Sequence, residues 1–175
     1  MSKTETLAQG NDFIDTMVGL SPEHDLYAIR HARSKASTAT QGCQTLFFKE
    51  DLEGLSLAER YLVAWYIALL SQAPSLAGEY RRQLQHVAVS DQVLMAVEFD
   101  RIDDISDARL RELLRFTRIL TLTPTHGDRA ALQALQDAGL STPAIIALAQ
   151  LIGYLSYQVR LVAGLQAMKA FEEGN

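Results

Sequence analysis

Nine consecutive apolar or aromatic residues, Leu62-Val63-Ala64-Trp65-Tyr66-Ile67-Ala68-Leu69-Leu70, constrain this chain more than any other feature. A helix with no polar side has to be surrounded by other helices. The run is too short to cross a bilayer, which takes about 20 apolar residues. Its start is marked by Ser56 and Glu59, the S-x-x-E pattern in which each side chain caps the other's backbone N–H. Leu55, just before the cap, is placed to staple onto the first turn. Its end is marked by Gln72-Ala73-Pro74, since Pro74 has no N–H to give and suits the first turn of a new helix. That second helix carries Leu76, Tyr80, Leu84 and Val87 on one stripe. The stretch predicts a buried helix, a tight corner and an antiparallel partner helix, within an all-α fold.

The flanking sequence continues in helical period. Asp12 to Leu20 reads as a short helix closed by Gly19, preceded by a loosely attached segment 1–10. Ser21-Pro22-Glu23 opens another helix, with Leu26 and Ile29 on one side. Arg30, His31, Arg33 and Lys35 form a basic cluster, read as a solvated face; an anion site facing a partner subunit is the sharper alternative. A helix over Ala36–Phe48 carries Cys43, read as a packing thiol. The acidic stretch Val89–Asp107 reads as a helix and a solvated connection, and it lacks the ligand spacing of a calcium loop. Arg109–Leu122 is amphipathic and stops at Pro124. A short helix over Arg129–Ala138 ends at Gly139. Ser141-Thr142-Pro143 starts the last helix, which runs to about Phe171. With 4 prolines and 10 glycines in 175 residues, the pattern points to helices throughout.

A net charge of −5 with no basic stripe argues against binding nucleic acid. One cysteine makes no internal disulfide, and the polar N-terminus lacks a signal-peptide core, so the cytoplasm is expected and no membrane association. His24, His31, His86 and His126 show no metal-ligand spacing. No phosphate-binding or dinucleotide glycine pattern is present either, so neither a metal nor a cofactor is expected.

The pattern LSxxERxxVAxxxAxLxxxPxxxxxY over the central stretch resembles the core of the carboxymuconolactone decarboxylase and alkylhydroperoxidase-D-like family. The line LTxxP…LxxLxxAGLSxxxIxxLxQLIxYxxYQxRxVAGL is similar to that family's C-terminal half. Together they cover roughly residues 50–168. The resemblance implies a multihelical domain over residues 50–171, preceded by a helical extension over 1–49, and a homo-oligomer. In the family's peroxidases the corner carries C-x-x-C-x-x-x-H, with a glutamate twelve residues upstream. In this register the cysteines fall on Ala73 and Leu76, the histidine on Tyr80 and the glutamate on Tyr61. None of the four residues performs thiol chemistry.

Other polar groups near the implied pocket are Glu59, Tyr66, Tyr157 and Arg160. Arg160 reads either as half of a buried ion pair with Glu59 or Glu79, or as the anchor for the carboxylate of a small ligand. Three functions follow. A subunit of the family without redox chemistry, binding a ligand or a partner, is favoured. A non-redox enzyme acting on a small carboxylate or lactone, and a one-cysteine peroxidase through Cys43, are the alternatives.

Overall fold

The computed structural model describes residues 12–174, and every regular element in them is helical, with no strand. The helices are α1 Phe13–Val18, α2 Asp25–His31, α3 Ser34–Phe47, α4 Leu57–Leu70, α5 Pro74–Gln83, α6 Asp91–Glu98, α7 Ala108–Leu122, α8 Arg129–Asp137 and α9 Thr142–Glu173. The reading of segment 1–10 falls outside the described residues.

Helix α4 is the centre. Ser56 and Glu59 close the capping box at its start. Leu62 through Ala68 are buried, and Leu69 and Leu70 half-buried. Helices α5, α7 and α9 surround it, with α6 closing a further side. Trp65 is in the core, with the Arg81 guanidinium 5.3 Å above its ring. Ser71 and Gln72 make the corner, Gln72 with φ 53, and Pro74 opens α5. A positive φ at a non-glycine residue is an uncommon conformation. Here it lets the Ala73 N–H return to the Ala68 carbonyl at 2.9 Å.

The residues of α1–α3 share one core with the rest, through Ile14, Val18, Leu26 and Phe47. Lys169 on α9 donates to the carbonyls at the end of α1, 3.3 Å to Val18 and 2.8 Å to Gly19. Gly19 takes the left-handed φ 69 expected of a helix terminator.

Two local readings are corrected. Leu26 and Ile29 do not face one way: Leu26 is buried and Ile29 is 62% exposed. On a helix, three residues is a rotation of about 300°, and in this short element it is enough to carry Ile29 past the core edge. The basic cluster is not uniformly solvated. Arg30 and His31 turn inward onto Asp12 and Asp15, while Arg33 and Lys35 are exposed.

Helix α9 is long and apolar enough to cross a membrane, but 44% of its apolar window is buried within the fold. It packs against α1, α4, α7 and α8, as the core helix of a helical bundle does.

Candidate functional site

Three places gather polar groups. The first is the corner where Tyr61, Ala73, Leu76 and Tyr80 fall. Tyr61 and Tyr80 are brought together, their rings 6.5 Å apart. The space between them is filled rather than hollow. Phe48 stacks on Tyr61 at 4.9 Å and on Tyr80 at 5.4 Å, and Phe13 stacks on Tyr80 at 5.8 Å. Leu76 and Tyr80 have almost no exposed surface. Ala73 caps α5 without any side-chain bond.

The Tyr80 hydroxyl is locked into a closed circuit. It donates to Gln158 Oε1 at 2.6 Å. Gln158 Nε2 donates to Gln44 Oε1 and to the Tyr154 hydroxyl, each at 3.0 Å. Tyr154 donates to Gln44 Oε1, also at 3.0 Å. Burial pushes the Tyr80 phenol well above its ordinary pKa, so it stays a neutral donor. No buried side-chain nitrogen or oxygen among the described residues lacks a partner.

The second place is the Arg60 hub. Arg60 is fully buried, with no carboxylate among its hydrogen-bond partners. Its guanidinium donates to backbone carbonyls of Phe47 (2.5 Å), Lys49 (2.7 Å), Leu55 (3.1 Å), Ser56 (3.2 Å) and Glu50 (3.4 Å). The Nε–H is shared between the Leu55 and Ser56 carbonyls and the two terminal nitrogens serve Phe47, Lys49 and Glu50, so one rigid fork ties together the turn between α3 and α4. Burial lowers the pKa of the group from its ordinary value.

The third is a cleft of about 1140 Å³ between α1, the turn after it, α2 and α3. Asp12 and Asp15 line it and hold Arg30, which lies behind them, at 3.0 Å and 2.8 Å. His31 Nε2 lies 2.7 Å from the second oxygen of Asp15. A proton on Nε2 satisfies that contact, and the Arg30 nitrogen 3.0 Å away is then a neighbour, not a donor to the ring. Tyr27 packs on the imidazole at 4.2 Å. Thr16, Ser34, Thr38, Thr45 and Lys49 supply polar groups on the walls, and Leu20, Pro22 and Leu46 supply apolar ones.

No family model matches this chain, and no curated protein is found similar to it. The geometry therefore carries the functional argument.

The other sequence candidates are dispersed. Glu59 holds Arg109 at 2.8 Å besides capping α4. Tyr66 is buried on α4 and donates to Asp100, whose backbone φ is 53; Arg118 grips the same carboxylate at 3.2 Å. Burial and the bond to Asp100 raise the Tyr66 pKa. Tyr157, 47% exposed, reaches Thr40 at 3.2 Å. Arg160 is exposed and caps the Ser156 carbonyl of its own helix at 2.6 Å. It forms no ion pair with Glu59 or Glu79, which hold Arg109 and Arg82 instead. Cys43 is half-buried on α3.

Two buried polar positions escaped the sequence reading. Arg60 and Gln158 are both polar residues on stripes that the apolar spacing marks as core. Gln158 lies one turn after Tyr154 and one turn before Val162, both buried. That register was the signal available for it.

Proposed function

We propose that this chain is a redox-silent, ligand-binding helical subunit of the carboxymuconolactone decarboxylase and alkylhydroperoxidase-D-like type. One observation carries the proposal: the corner that would hold a thiol pair is packed solid by Leu76 and Tyr80, and the Tyr80 hydroxyl is tied into a closed hydrogen-bond circuit. A peroxidase cycle needs a thiolate to attack, a second thiol to resolve the sulfenic acid and a base to move the proton. Nothing at that corner can do any of these. The order of the apolar motifs along the chain supports the family relationship, and the packing of α5, α7 and α9 about α4 is consistent with it.

Ligand binding is assigned to the α1–α3 cleft. Its size exceeds what a drug-sized molecule fills. Asp12 and Asp15 face the cleft, and Lys49 on its wall is paired with Asp51 at 3.3 Å, so the lining favours no carboxylate. The fit is to a small molecule with an apolar body and hydroxyl or carbonyl substituents. Gly42 lines the cleft and a Cβ built there meets nothing within 4 Å, so Gly42→Trp is placed to fill the space. Titration with the uncharged ketone fluorophore prodan is expected to show one saturable site, weakened about tenfold or more in Gly42→Trp. Equal binding by both proteins removes the cleft from the proposal.

The redox claim has its own assay. Peroxide consumption with a dithiol reductant is expected to be no faster with the wild type than with Cys43→Ser. Turnover that disappears in Cys43→Ser restores the one-cysteine peroxidase.

A further inference from the structure

The cleft between α1 and α3 carries two polar atoms that the fold orients and then leaves unused. His31 and Gln41 both line it, and both are anchored on the first turn of α1. The Gln41 amide is set by the Phe13 N–H, which donates to its Oε1 at 2.8 Å. That N–H is one of the donors a helix start leaves open, and only the oxygen end of an amide can take it. Gln41 Nε2 is thereby the free end, with two hydrogens to give and no acceptor among the described residues. The imidazole is set in the same manner. Asp15 takes the proton of Nε2, 2.7 Å away, so the lone pair of the neutral ring falls on Nδ1. Nδ1 has no partner among the described residues.

Neither nitrogen is sealed in. Both residues are half-buried, and no buried side-chain nitrogen or oxygen among the described residues lacks a partner. Two nitrogens that do lack one therefore reach accessible surface. The hydroxyls of Ser34 and Thr38 on the same wall rotate, and each can donate or accept. His31 Nδ1 and Gln41 Nε2 have no such freedom: one is an acceptor, the other a donor. A few polar groups of fixed sense in an adaptable wall are what orient a ligand in its site.

We propose that His31 and Gln41 are the selecting pair of this cleft, and that they choose a neutral molecule bearing both a hydroxyl and a carbonyl. His31 Nδ1 accepts from the hydroxyl, and Gln41 Nε2 donates to the carbonyl. This selectivity rests on the cleft's being a binding site, and adds which groups the ligand carries and which residue reads each.

Competition of small naphthalenes against prodan at neutral pH tests it. 2-Naphthol and its methyl ether differ in a donor; 2-acetylnaphthalene and 2-ethylnaphthalene differ in an acceptor. The wild type is expected to bind the naphthol about fivefold to tenfold more tightly than the ether, and the ketone more tightly than the hydrocarbon by a similar factor, the range for one net hydrogen bond. His31→Leu is expected to erase the first preference and keep the second. Gln41→Glu keeps an acceptor for the Phe13 N–H and is expected to erase the second preference and keep the first. A structural role for either residue would shift all four probes together, and that result overturns the proposal. Wild-type ratios near one also overturn it, while saturable prodan binding leaves the cleft standing as a site. Absence of saturable prodan binding overturns both. The wild-type ratios need no variant, so they decide the matter even where His31→Leu fails to fold.

Discussion

Replacing Arg60 with methionine is expected to lower the unfolding free energy by about 3–5 kcal/mol, the range for removing one side of a buried charged network. Methionine fills a similar volume, so the loss isolates the hydrogen bonds. Five carbonyls lose a hydrogen bond, of which that of Ser56 keeps the backbone N–H of residue 60 and the other four lose the guanidinium altogether. Those of Phe47 and Leu55 belong to buried residues and cannot all turn to water. Each orphaned buried acceptor costs about 1–3 kcal/mol, and rehydration of the outer ones of Lys49 and Glu50 returns part of it. Arg60→Lys keeps the charge but has three donors and no planar fork, so it should fall between. Urea unfolding followed by circular dichroism measures the difference, with an unchanged m-value showing that the folded state keeps its compactness. For a chain of this size the midpoint temperature should drop by about 10 °C. A loss below about 1 kcal/mol would mean that the turn between α3 and α4 is held by its own packing, and that the guanidinium is incidental.

The central helix was legible because its information is local. A capping box, an all-apolar run and a proline corner each depend on residues within one turn, and each stands in the structure as read. The Gly19 and Gly139 terminators are local in the same way. What was not legible depends on chain segments that meet only in three dimensions. Arg60 binds carbonyls up to thirteen residues away, and carbonyls leave no trace in the side-chain pattern. The sequence reading puts Arg160 inside, as half of an ion pair or as a ligand anchor, although its helical position is the outer one. Two residues on a helix is a rotation of about 200°, so Gln158 is buried and Arg160 is exposed. The cleft between α1 and α3 was invisible for a further reason. Its basic cluster looks like a solvated face until Asp12 and Asp15, from the preceding helix, close on Arg30 and His31.

Gln158→Leu is expected to cost about 2–4 kcal/mol, because the circuit it completes lies where water has no access. The substitution keeps apolar volume on the buried stripe of α9, so packing loss is small. The cost falls on Tyr80. Its hydroxyl is almost wholly buried and loses its 2.6 Å acceptor, with the Gln44 side chain as its remaining polar neighbour. Tyr154 keeps Gln44 as acceptor and suffers less. The interpretation is checked by a second step. Tyr80→Phe alone orphans the Gln158 carbonyl oxygen and should cost about 1–2 kcal/mol. In the Gln158→Leu background, Tyr80→Phe removes a hydroxyl that has already lost its Gln158 acceptor, so it should cost less than it does alone. The double variant is then more stable than the sum of the single losses predicts, by about 1–2 kcal/mol. Strict additivity in a urea-unfolding cycle would show that Tyr80 and Gln158 act independently. The corner would then be filled by apolar packing alone, and the hydrogen-bond circuit would not be what keeps it closed.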